Sequence, residues 1–125
     1  MPHTKSRLLI LRPREVSVMQ HLTSKNFSAE TGRGSLPVVV MFYAVWCGKC
    51  AMMKPMIEEI EKKYRGRIKF CEAEIDESPL LAAHYEADTV PTFVFFQRGH
   101  CLGSMHGIID EGIFEQRLQK IFRNS

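Results

Sequence analysis

The stretch PVVVMFYAVWCGKC, residues 37–50, decides how this chain of 125 residues is read. Its opening, residues 37–44, is a continuous apolar run, the signature of a strand buried on both faces in a sheet covered by helices. Its close, Trp46-Cys47-Gly48-Lys49-Cys50, sets two thiols near each other directly before a helical pattern. Thiols that near can close a disulfide or release it. At a helix N-terminus the unpaired backbone N–H groups and the positive end of the dipole favour an anion, so Cys47 is expected to hold its thiolate at neutral pH. The pair therefore reads as a redox site and not as a structural cross-link.

Outward from this stretch, residues 47–64 carry Met52, Met53, Met56, Ile57 and Ile60 at helical spacing, with Glu58, Glu59, Lys62 and Lys63 on the other side. Pro55 is expected to kink this helix, and Gly66 to stop it. Upstream, residues 16–22 read as a short strand, after which Thr23 offers a cap for a helix carrying Phe27 inward. Downstream, residues 67–75 alternate as a strand with Ile68, Phe70, Ala73 and Ile75 inward. Ser78-Pro79 starts a short helix through Tyr85. Phe93-Val94-Phe95-Phe96 is a strong strand, Arg98-Gly99 a turn, and residues 101–105 a hairpin partner. Asp110 caps a last helix with Phe114, Leu118, Ile121 and Phe122 on one stripe. The order β-α-β-α-β-α-β-β-α implies an α/β fold: parallel strands joined by helices in the first half, and a hairpin adding antiparallel edge strands to the same sheet. Residues 1–15 read as an N-terminal extension, and residues 16–125 as one domain.

Composition excludes several classes. Hydrophobic residues make up 45% and charged residues 25% of the chain, an ordinary globular balance. The net charge of +3 comes largely from Lys5, Arg7, Arg12 and Arg14, and elsewhere Lys and Arg are interleaved with Asp and Glu, so no nucleic-acid footprint emerges. No apolar run approaches the roughly 20 residues of a membrane helix, and Leu8-Leu9-Ile10-Leu11 is too short for the core of a secretory signal. An intracellular, cytoplasmic protein is expected. In that setting four cysteines point to redox or metal chemistry. A structural metal pair is the bland alternative for Cys47 and Cys50, but it normally needs four ligands, and no second Cys-x-x-Cys or His-x₃₋₅-His in suitable context exists, though His100, Cys101 and His106 look tempting. His100 and Cys101, adjacent on a strand, point to opposite faces and do not easily share one metal. Cys71 and Cys101 read as small buried or half-buried thiols, and Met52, Met53 and Met56 as core filler and groove lining.

Several features now fall in register: Trp46-Cys47-Gly48-x-Cys50 after the central strand, Pro55 in the following helix, Ile75-Asp76, Thr89-Val90-Pro91-Thr92, and Gly107 after the final strand. With them the chain resembles the thioredoxin family from Val16 to Phe122. The resemblance implies the thioredoxin fold, a central mixed sheet with helices on both faces, and a thiol-disulfide exchange cycle. Cys47 would be the nucleophile and Cys50 the resolving thiol. Gly48 would allow a partner chain to approach, and Trp46, Val90, Pro91 and Gly107 would line a shallow substrate groove, with Pro91 cis and the Trp46 indole meeting Asp76. His106 would face the groove rim. The implied partners are protein disulfides and a reductant of the thioredoxin-reductase type. The implied molecule is a monomer with no metal or organic cofactor beyond the Cys47–Cys50 disulfide.

Two positions depart from the family pattern. Lys49 stands where thioredoxins usually carry proline; a cation there is expected to favour the Cys47 thiolate and make the couple more oxidising. Met41 stands where familiar thioredoxins bury an aspartate beneath the resolving cysteine, and Glu72 where many have the lysine paired with it. Both halves of that pair are exchanged, which leaves Glu72 either a base for Cys50 or a solvated strand carboxylate. Two readings from other classes stand beside the enzyme: a redox-regulated protein-binding module, and a metal-binding or delivery protein.

Overall fold

A computed structural model describes residues 17–32, 34 and 36–123. The extension 1–15, and Val16 in the expected first strand, lie outside the described residues. The elements are β1 (Gln20–Leu22), α1 (Phe27–Gly32), β2 (Val38–Tyr43), α2 (Gly48–Tyr64), β3 (Lys69–Glu74), α3 (Pro79–His84), β4 (Thr92–Gln97), β5 (His100–His106) and α4 (Glu111–Ile121). This is the β-α-β-α-β-α-β-β-α order read from the sequence.

The five strands form one mixed sheet in the order β1-β3-β2-β4-β5. β3 runs parallel to both β1 and β2, while β4 is antiparallel to β2 and to β5. The hairpin expectation needs one correction. Of the two hairpin strands only β5 lies at an edge; β4 is interior, and its Phe93, Val94, Phe95 and Phe96 are buried because helices cover both faces there.

β2 is the middle strand and splits the core in two. Val39 and Met41 face a cluster with Met53, Ile57 and Ile60 of α2 and Phe114 and Leu118 of α4. Val38, Val40 and Phe42 face a second cluster with Phe27 of α1 and Ala82 of α3. Helices therefore lie on both faces, as the double-sided apolar run of residues 38–43 requires.

Local readings fared unevenly. Asp110 caps α4 as expected, its carboxylate accepting from the N–H groups of Gly112 and Ile113. Thr23 caps the turn that leads into α1, its own N–H donating in return to the Asn26 side chain at 2.8 Å. The Thr23 hydroxyl accepts from Lys25 N–H in that turn, and the helix proper begins at Phe27. Ser78 sits at the N-cap position of α3, yet its buried hydroxyl has no hydrogen-bond partner among the described residues. Met52 was grouped with the buried stripe of α2, but it is 68% exposed. It lies about 100° round the helix from buried Met53, on the solvent side with Pro55 and Glu59.

Glu61, unremarked in the sequence, is buried on α2 at 3% exposure. Its carboxylate takes hydrogen bonds from Arg65 at 2.7 and 2.9 Å and from Val18 N–H at 2.9 Å, which ties the chain before β1 to the helix. Burial alone would raise its proton affinity, but the Arg65 and Val18 bonds outweigh it and hold the carboxyl below its ordinary value. A depressed carboxyl contributes stability that is present above the unfolded value and lost as pH falls through the folded one. Thermal unfolding of Glu61→Gln is therefore expected to show a lower melting temperature at neutral pH and a shallower decline below about pH 4.5. An unaltered acid limb would remove Glu61 from that linkage.

Candidate functional site

β2 ends at Tyr43, and the chain turns through Ala44, Val45 and Trp46 into α2, which places Cys47 at its N-cap. Antiparallel pairing sets Thr92 opposite Phe42, and Thr92 again opposite His106. The start of β4 and the end of β5 are thereby carried to the same rim as the C-terminal end of β2. The sheet order assembles the site; no chain spacing does.

Cys47 is half-buried and Cys50 is 4% exposed. Both are free thiols, and the Cys47 sulfur accepts from Cys50 N–H at 3.1 Å. The Cys47 thiol also points at the Val90 carbonyl at 3.7 Å. Burial pushes the Cys50 thiol up to about 12; its hydrogen bond with Cys47 adds to this, and the Ala44 backbone partly opposes it.

The peptide bond Val90–Pro91 is cis. Gly107 N–H donates to the Pro91 carbonyl at 2.8 Å and adopts φ 83°, a left-handed backbone that suits glycine. Trp46, 65% exposed, donates its indole N–H to Asp76 at 2.7 Å. Trp46, Cys47, Gly48, Lys49 and Val90 share one open groove with Asp88, a residue to which the sequence had drawn no attention. A Cβ at Gly48 would meet nothing within 4 Å, so that side of the dithiol is open. His106 is exposed on β5, its Nδ1 2.8 Å from the Thr92 hydroxyl.

Behind the dithiol lies a separate cavity of about 160 Å³, lined by Cys47, Cys50, Met41, Tyr43, Lys54 and Glu72 among others. Glu72 lines the same cavity as Cys50. Its companions, Lys54 at 3.6 Å and the Tyr43 hydroxyl at 3.5 Å, had no signal in sequence spacing.

The other cysteines stay apart. Cys71 on β3 is fully buried, which pushes its thiol up to about 11, and Cys101 on β5 is exposed, not half-buried as expected. Two strands separate them. Among the described residues no group of three or more His, Cys, Asp or Glu is arranged to hold a metal ion, and no helix is long and apolar enough to cross a membrane.

Comparison with known proteins agrees with this geometry. The Thioredoxin family model matches residues 18–120. Thioredoxin 1 of Nostoc sp. is 32% identical over 105 residues, 84% of this chain and 98% of its own. The chloroplastic M-type thioredoxin of Pisum sativum is 33% identical over 113 residues, 90% of this chain and 66% of its own. A chain from a structural study of the thiol resolving mechanism in yeast mitochondrial 1-Cys peroxiredoxin, via glutathione/thioredoxin systems, superposes with a TM-score of 0.73. It is 28% identical, covering 82% of this chain and 94% of that one. Together with a dithiol whose outer sulfur opens on a groove and whose inner sulfur is buried, these matches show that the chain belongs to the thioredoxin family, a thiol-disulfide oxidoreductase working through Cys47 and Cys50.

Proposed function

We propose that the chain is a reductase of protein disulfides in which Cys47 attacks and Cys50 resolves. The observation that carries this assignment is the unequal access of the two sulfurs, one at the groove and one beneath it. Only the outer sulfur can reach a partner's disulfide, and only the inner one is held in place to displace that partner afterwards. Trp46, Val90, Pro91 and Gly107 form the floor on which an extended partner segment lies, pairing with the Val90 backbone.

We further assign the protein to the cytoplasm, as a monomeric carrier recycled by a flavin-dependent reductase. Support for a reductase partner comes from the family to which the chain belongs. Lys49, exposed on the first turn of α2, makes the couple more oxidising than its proline-bearing relatives.

Equilibration with glutathione tests both parts. The wild-type couple is expected above the roughly −270 mV of thioredoxin but within the reducing range, and Lys49→Pro is expected to lower it, each tenfold change in the equilibrium constant being about 30 mV. A wild-type value near about −120 mV would make the protein an oxidant and overturn the reductase assignment. A potential unmoved by Lys49→Pro would remove lysine from the tuning.

A further inference from the structure

Resolution by Cys50 requires that its proton leave, and Met41 beneath it accepts none. Glu72 is the one carboxylate on the wall of the cavity that Cys50 shares. Met41 and Glu72 are register partners on neighbouring strands, so both side chains leave the sheet on the face that α2 covers. At about 160 Å³ the cavity has room for a short bridge of water, each molecule taking about 30 Å³.

Glu72 is not the end of the line. His21, its register partner on β1, sets Nδ1 3.6 Å from Glu72 and Nε2 2.6 Å from Glu77. Glu77 is exposed. A single imidazole therefore spans the distance from the cavity wall to the surface. Lys54 from α2 and Tyr43 from β2 close the remaining sides of Glu72, and Glu74 shares its strand face.

We propose that Glu72 takes the Cys50 proton across the cavity, and that His21, bridging Glu72 to Glu77, is the positioning residue through which that proton reaches solvent. The proposal rests on Cys50 being the resolving thiol. In the mixed disulfide, Cys50 S–H gives its proton through water to Glu72, and the thiolate attacks the Cys47 sulfur. The Cys47–Cys50 bond forms, the bond from Cys47 to the substrate sulfur breaks, and that sulfur departs with the electron pair as thiolate. The protein dithiol is oxidised and the substrate disulfide reduced. Glu72 then passes its proton to Nδ1 of His21, whose Nε2 proton moves to Glu77 and solvent.

This route has its own pH signature. The groups facing Glu72 are His21, Tyr43, Lys54, Glu74 and Glu77. Burial pushes the Tyr43 phenol to about 12, outside the working range. The proton affinity of His21 is raised from its ordinary near-neutral value, by the Glu77 hydrogen bond first and by Glu72 after it, with burial opposing. Doubly protonated His21 cannot receive a proton from Glu72, whereas neutral His21 can. Resolution is thus expected to quicken as pH rises through the His21 titration.

The test uses the full chain with exposed Cys101 changed to serine, mixed in a stopped-flow instrument with dithiobis-nitrobenzoate between about pH 5.5 and 8.5. The first nitrothiolate released reports Cys47 attack and depends on reagent concentration. The second reports Cys50 closing on Cys47 and does not. Glu72→Gln is expected to leave the first phase intact and slow the second about tenfold to a hundredfold, with Glu72→Asp recovering most of it. His21→Gln is expected to abolish the rise with pH in the second phase. A second phase of wild-type rate in Glu72→Gln would overturn the proposal, as would an unchanged pH profile in His21→Gln. A first phase missing from the parent chain itself would overturn the assignment of Cys47, a failure separate from that of the relay.

Discussion

Cys50→Ser is expected to stop turnover with one substrate molecule covalently held on Cys47. The outer sulfur can still attack a protein disulfide, but the only thiol placed to displace the product, three residues on and buried, is gone. Reduction of a protein disulfide, followed by its coupled optical assay, should fall by at least about 10³-fold, and a species of protein plus substrate mass should appear on non-reducing gels and vanish with added thiol. Cys47→Ser should lose the same activity without forming the adduct. A redox-switched binding module predicts instead a complex that survives both substitutions. A metal carrier predicts bound zinc or copper, lost with either cysteine. Persistence of turnover in Cys50→Ser would sink the two-thiol mechanism.

The largest effect on stability is expected from Phe114→Ala. Phe114 is fully buried on α4, with its ring 5.1 Å from that of Phe93 edge-on and 6.2 Å from that of Phe95. It fastens the last helix to the interior strand β4 in the same cluster that contains Cys50 and Met41. Removing a buried phenyl deletes its transfer energy and leaves a cavity that packed neighbours fill incompletely, a cost of about 3–5 kcal/mol. For a domain of this size the melting temperature should drop by roughly 10–20 °C in calorimetry. A shift below about 3 °C would mean that α4 contributes little to the fold.

Legibility in the sequence followed the range of the interaction. The central strand was readable because residues 38–43 must be apolar on both faces, a property of each residue by itself. Asp110 was readable because its partners are the next turn of the same helix. Ser78 has the same chemistry but no such bond, because tertiary placement of the chain there set a different local geometry. Met52 recurs at helical spacing with Met56 and Glu59, but the core reaches only the side of α2 that carries Met53, Ile57 and Ile60, a choice that packing makes and periodicity does not.

The two site cysteines and their order before a helix are properties of contiguous chain, and the sequence alone determined them. So it did the alternation of strands and helices, since turn residues and the period of burial are local facts. The tertiary structure alone decided what surrounds the sulfurs. Pairing of β4 with β2 carries the Val90 carbonyl to Cys47, and the order β1-β3-β2 lines up His21, Glu72 and Met41 across three strands. Those neighbours are 20 to 51 residues apart in the chain; the family resemblance placed Val90 and paired Met41 with Glu72, but nothing along the chain put His21 beside them. Backbone hydrogen bonding between strands sets that adjacency, so the groove and the proton-bearing side chains come into being only when the sheet closes.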